Sequence, residues 1–143
     1  MQTGQDGRWL VVKLERGEQV LPSLQAALEE RGITSGLVLS GIGALEGLEL
    51  GWFDPEGEGY VRRRLEGSHE LLALQGSVTL QADPPLHLHA TVAGPDYAAV
   101  GGHLFDGRVS VLAEIGIQHL EGLRMTRRRN PTTGLNELAV EPR

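Results

Sequence analysis

Three histidines carry the chemistry most legible in this chain: the pair in His87-Leu88-His89 and the one closing Gly101-Gly102-His103. In an extended strand, residues two apart project from the same face, about 6.6 Å apart along the chain. His87 and His89 are therefore expected side by side, with Leu88 pointing the opposite way. Gly94-Pro95-Asp96 lies between the two motifs and is a strong reversal signal. A hairpin centred near Asp96 sets His103 opposite His89, so that three imidazoles converge. Such a set suits a divalent metal of the zinc class, which takes histidine nitrogen at about 2.0–2.1 Å and often keeps a fourth position open. A plainer reading fits the same spacing: two polar residues on the wetter face of a strand, with His103 hydrogen-bonded in a turn. Spacing alone leaves both open. His69 and His119 lie outside the cluster and read as ordinary surface or half-buried residues.

Composition narrows the class of protein. A chain of 143 residues fits one domain with a real core. It is 40% hydrophobic, with no run long enough to cross a bilayer. The opening Met1–Gly7 segment is polar and lacks the basic and apolar regions of a signal peptide, so a cytoplasmic location without membrane contact is expected. There is no cysteine, which excludes disulfides and thiolate chemistry and leaves nitrogen and oxygen as metal ligands. The net charge of −6 argues against a chain whose main task is gripping phosphates. Arg62-Arg63-Arg64 and Arg127-Arg128-Arg129 are local basic runs. In a strand the middle arginine of each points away from its neighbours, so neither forms a continuous basic face. Solvated faces and subunit salt bridges are the expected use.

The elements that must position the histidines read mostly as strands. Trp9–Leu14 is a first strand, and Arg16-Gly17-Glu18 turns it. Pro22 suits the first turn of a helix and Gly32 its C-terminal cap, with Leu24, Ala27 and Leu28 at helical spacing. Leu37–Leu39 reads as a short strand ending in Ser40-Gly41-Ile42-Gly43-Ala44. Leu48, Leu50 and Trp52 alternate with Gly47, Glu49 and Gly51, so that one face is buried. Asp54–Gly57 is a turn and Tyr60–Leu65 the return strand. Leu71–Leu80 is apolar, with Gly76 as a candidate bulge. Asp106-Gly107 is a two-residue hairpin signal, and Val109, Val111 and Ala113 share a face beyond it. Ile117–Arg127 is a further strand. The fold class is α+β: a single compact domain, residues 1–143, mainly antiparallel β-sheet of about seven or eight strands with one or a few helices. Its core is expected over residues 8–128, and residues 129–143 form a loose or partner-docked tail.

Other chemistries find little support. Ser40–Ala44 lacks the third glycine of a dinucleotide-binding loop, and the segment after it reads as a strand, so no helix N-terminus is offered to a phosphate. No G-x-S-x-G elbow is present. Glu114 shares a strand face with Ser110 and Leu112; it is the one candidate for a fourth ligand or for a carboxylate that orients an imidazole.

In order along the chain, Leu14–Glu18, Ser40–Leu45, Gly67–Gly76, His87-Leu88-His89, Gly101–Leu104 and Thr133–Leu135 resemble the plant- and prokaryote-conserved (PPC) domain, the family associated in plants with AT-hook DNA-binding proteins. The pairing of His-Leu-His with Gly-Gly-His-Leu is the specific part, and Glu114 falls where the family commonly carries a glutamate. The resemblance implies a homotrimer. It also implies a polar site at His87, His89 and His103, metal-bound in some prokaryotic relatives, with zinc or another divalent ion as cofactor. Plant members usually have Arg-Phe where this chain has Ser68-His69, so their partner-docking surface need not carry over. The Arg-Gly-Arg-Pro core of an AT-hook is absent, and tight DNA binding by this chain alone is not expected. Two functions remain open. One is a stand-alone regulatory or ligand-binding module whose surface meets other proteins. The other is a metal-dependent enzyme acting on a small molecule through an open metal position.

Overall fold

The computed structural model describes residues 1–57 and 59–143. Among them lie nine strands and one helix: β1 (Gln2–Asp6), β2 (Trp9–Glu15), α1 (Val20–Glu30), β3 (Ser35–Asp54), β4 (Gly59–Arg64), β5 (Ser68–Thr79), β6 (Leu86–Ala93), β7 (Ala99–His119), β8 (Leu123–Arg129) and β9 (Asn136–Pro142). Seven strands form one sheet in the order β1-β2-β7-β6-β5-β3-β4, and β8 pairs with β9 in a second. Every pairing is antiparallel. Because β3 and β7 also pair with each other, the path β7-β6-β5-β3 closes on itself around the core. The mainly antiparallel α+β class is therefore observed. No helix among the described residues is long and apolar enough to cross a membrane.

Period-two alternation explains the strands around the core. On β2, Leu10, Val12 and Leu14 are buried while Trp9 and Val11 are exposed. Helix α1 closes the core with Val20, Leu24, Ala27 and Leu28, all fully buried. Gln19 makes no side-chain cap at its start, so burial carries it, at about 1.5–3 kcal/mol for each large apolar side chain. It ends in a Schellman motif. Gly32 takes φ 65°, the Ile33 N–H donates to the Leu28 carbonyl at 2.9 Å, and the Gly32 N–H to that of Glu29 at 3.1 Å.

Several expectations are corrected. The polar segment Gln2–Asp6 is a strand, paired along β2. Ser40–Ala44 does not end a short strand. It runs through the middle of β3, where a Cβ on Gly43 would collide with the Leu112 carbonyl oxygen. Trp52 is exposed although Leu48 and Leu50 are buried, because the β3–β4 ribbon runs past the end of the core there. The irregularity in β5 sits between Leu71 and Ala73, not at Gly76. Asp106-Gly107 makes no hairpin; both lie inside the continuous β7, with Gly107 packed against Leu48. Val111 is exposed while Val109 and Ala113 are buried, since residues 110–112 of β7 face only Ala44 on β3. The C-terminal residues are not loose: β9 pairs along the whole of β8.

Candidate metal centre

Strand β6 alternates strictly around the histidines. Leu86, Leu88, Ala90 and Val92 point into the core, while His87 and His89 share the outer face, half-buried and exposed respectively. The reversal after β6 is the one expected. Tyr97, at φ 62°, donates its N–H to the Gly94 carbonyl at 3.0 Å, and the Asp96 carboxylate accepts the Ala98 N–H at 3.1 Å. The returning β7 sets His103 directly opposite His89.

Glycines let the backbones approach closely enough for this register. A Cβ at Gly101 would lie 2.8 Å from the Ala90 carbonyl oxygen, and one at Gly102 would lie 2.6 Å from that of Gly51. A Cβ at Gly76 would collide with the His87 carbonyl, and one at Gly51 with the Phe105 ring. Such close approach is a common use of glycine within strands.

His87, His89 and His103 each offer a ring nitrogen, and the three atoms lie within 4.8 Å of one another. The Nε2 atoms of His87 and His89 are 3.1 Å apart. Two ligands on a tetrahedral ion at about 2.05 Å stand ~3.3 Å apart, so this edge already has metal-site dimensions. His103 Nδ1 is buried with no hydrogen-bond partner. Burial, followed by the charges of His87, His89 and Arg62, lowers the His103 pKa to about 4. Burial also lowers that of His87, with His89 and Arg127 adding to the effect. Both rings are thus held neutral at pH 7, the form in which imidazole binds a metal. Donor type, spacing and the orphaned nitrogen fit a divalent ion. Glu114 does not join this group: it lies exposed, eleven residues along β7 from His103, in register with Lys13 and Ile42. His69 and His119 lie apart from it too, both half-buried.

The surroundings include residues that sequence reasoning did not single out. Tyr60 and Phe105 stand beside His103, with ring centroids 4.8 and 4.4 Å away, and the Arg62 guanidinium lies 3.7 Å over the Phe105 ring. A cleft of about 660 Å³ opens against His87 and His103 and is walled on its far side by residues 134–138, where the β8–β9 connection enters β9. Arg127 lines it, half-buried rather than solvated as expected. β8 packs over β3 and β5, with the buried Met125 donating its N–H to Ser35 Oγ at 3.0 Å, and this brings the arginine over β5; nothing in the local sequence signals it.

Residues 1–121 match the family model described as the Plants and Prokaryotes Conserved (PCC) domain. The chain belongs to this family. Solved relatives extend the likeness over nearly the whole chain. A PPC protein from Pyrococcus horikoshii is 32% identical over 92% of each chain, with a TM-score of 0.81. A protein from Archaeoglobus fulgidus described as metal-containing is 30% identical, over 94% of this chain and 95% of its own, with a TM-score of 0.84. A Bacteroides thetaiotaomicron protein provisionally assigned to DNA binding is 29% identical over 96% of each chain, with a TM-score of 0.86. No curated protein matches the chain. The three histidines lie on β6 and β7 of the PCC domain, inside the matched residues.

Proposed function

We propose that this PCC-domain chain is a ligand-binding module built around one divalent ion, zinc in the first instance, held by His87, His89 and His103. The observation that carries the reading is the convergence of three imidazoles with a buried, unpartnered nitrogen on His103. The metal-containing relative from A. fulgidus supports it. When bound, zinc supplies a Lewis-acid position for an oxygen or nitrogen of a ligand. The chain's own residues orient and enclose. Gly101 and Gly102 fix the register of His103, and Phe105 and Tyr60 exclude water from one side of its ring.

The cleft reaching His87 and His103 favours a second reading, a metal-dependent enzyme acting on a small molecule. The module is preferred because Glu114, the one acid–base candidate from sequence, lies away from the imidazoles. The DNA-binding assignment of the B. thetaiotaomicron relative is not carried to this chain. Several arginines already have carboxylate partners: Arg62 and Arg64 share Glu49, Arg108 pairs with Glu46, and Arg128 with Glu141. We also propose that the chain assembles as a homotrimer.

The test is elemental analysis of protein prepared without a histidine tag. About one divalent ion per chain is expected. His89→Ala is expected to abolish stoichiometric metal while the fold persists, because His89 is exposed, and His69→Ala to leave the content unchanged. Protein that carries no metal and shows no thermal shift with added zinc would overturn the reading.

A further inference from the structure

We propose that the cleft beside the three histidines binds a small organic carboxylate with an apolar or aryl body, and that Arg127 takes the carboxylate. This names a ligand class for the proposed ligand site, and it does not require the metal to be bound.

The observation behind it is a fixed cation without a counter-ion. Arg127 Nε donates to Thr79 Oγ1 at 3.1 Å and Nη2 to Ser77 Oγ at 2.8 Å. The Thr79 hydroxyl, fully buried, in turn donates to the Pro84 carbonyl at 3.0 Å, so its orientation is locked. Those two bonds use two of the five guanidinium N–H groups and aim the fork without neutralising it. No carboxylate pairs with Arg127 among the described residues. Burial lowers its pKa, the mark of a charge partly stripped of water. A desolvated charge held only by neutral partners is costly, and a carboxylate arriving in the cleft offsets that cost with charge-assisted bonds.

The other charged groups lining the cleft agree with an anion. Arg129 adds positive charge at the rim. Glu137 is the one carboxylate in the lining, and its Oε1 is engaged by Asn130 at 2.9 Å and Thr133 at 2.8 Å, which holds the carboxylate toward its own loop. Beside the polar Ser77, His87, His103 and Asn136, much of the remaining wall is apolar, with Leu86, Leu104, Phe105 and Leu138. An inorganic oxyanion would leave those side chains unused. A volume of about 660 Å³ is the size of a small-molecule site, within the usual 300–1,000 Å³.

Isothermal titration with phenylacetate, phenylacetamide and inorganic phosphate, on chelator-treated and on zinc-loaded protein, tests the proposal. Phenylacetate is expected to bind both forms, about tenfold or more tighter than the amide, as one charge-assisted interaction predicts. Arg127→Gln should erase that preference. Arg127→Lys, which keeps the charge and loses the fork, should retain part of it. His69→Ala, outside the cleft and the histidine group, should retain it in full; because the preference is read on chelator-treated protein as well, failure of the metal reading and failure of this one are distinguishable. Equal binding of acid and amide, or no binding of the acid up to about 10 mM in either form, overturns the proposal; even a weak fragment binds below that range. Phosphate binding as tightly as phenylacetate overturns the apolar body. The acid–amide comparison on the wild-type chain decides the matter even where Arg127→Gln does not fold.

Discussion

Burial holds His87 and His103 neutral, and that has a signed consequence for stability. In the unfolded chain a histidine titrates near 6.5, whereas folded, metal-free His103 titrates near 4. Between those values the unfolded state binds the extra proton, so stability rises with pH through this window and falls as pH drops from about 6.5 toward about 4. Chelator-treated wild-type protein is therefore expected to melt lower at pH 5 than at pH 7. His103→Gln, neutral at both, should show a smaller difference in the same calorimetric scans. A variant with an undiminished pH response would remove His103 as its source. Residue chemistry at this centre was largely legible: period two placed His87 beside His89, and Gly94-Pro95-Asp96 brought His103 across. Arg127 was not, because its role depends on Ser77 and Thr79, some fifty residues earlier in the chain.

The strands reach their register only where glycine permits it, and Gly76 is the clearest case. It pairs with Leu88 on one side and Val38 on the other, and a Cβ there would overlap the His87 carbonyl oxygen. Gly76→Ala must push β6 away from β5 and carry His87 with it. A loss of about 1–3 kcal/mol is expected from such overpacking, read as a lower denaturant midpoint, together with reduced metal content. Gly122→Ala, in open space, serves as the control and should move neither. An unchanged midpoint for Gly76→Ala would contradict the steric account. Glycine also explains where the sequence misled. Gly41, Gly43 and Asp106-Gly107 look like punctuation, yet each lies within a long strand hydrogen-bonded to a neighbour. Local turn propensity was overridden by pairing partners that a window of ten residues does not contain. The helix, by contrast, was legible because its apolar stripe and closing glycine are local signals.

At the scale of the whole molecule, exposed apolar side chains lie at several places, and two groups of them are on the seven-stranded sheet. One lies on the sheet around Trp9 and Val11 of β2 and Ile42 of β3, exposed by 50%, 56% and 54%. Gly116 lies between Val11 and Ser40 in register, and Glu114 between Lys13 and Ile42, which places Glu114 on this surface. The second is formed by the cross-strand pair Trp52 and Val61, exposed by 63% and 57%, with Val100 lining the same cavity. A closed ring of identical chains joins one surface of each copy to a different surface of the next, whereas a two-fold dimer needs one self-complementary patch. Two unlike patches on one chain suit the ring, and the trimer implied by the family resemblance is the ring we propose. Light scattering coupled to size exclusion should report three 15.4 kDa chains, about 46 kDa. Val11→Lys and Trp52→Glu should each dissociate it without help from the other, since either change spoils every interface in the ring. Each change, if it falls at a central anchor, should cost at least about 2 kcal/mol per interface, roughly thirtyfold in affinity. A monomer mass at micromolar concentration would contradict the trimer. A trimer broken by one substitution and untouched by the other would keep the assembly but remove the two-surface account of it.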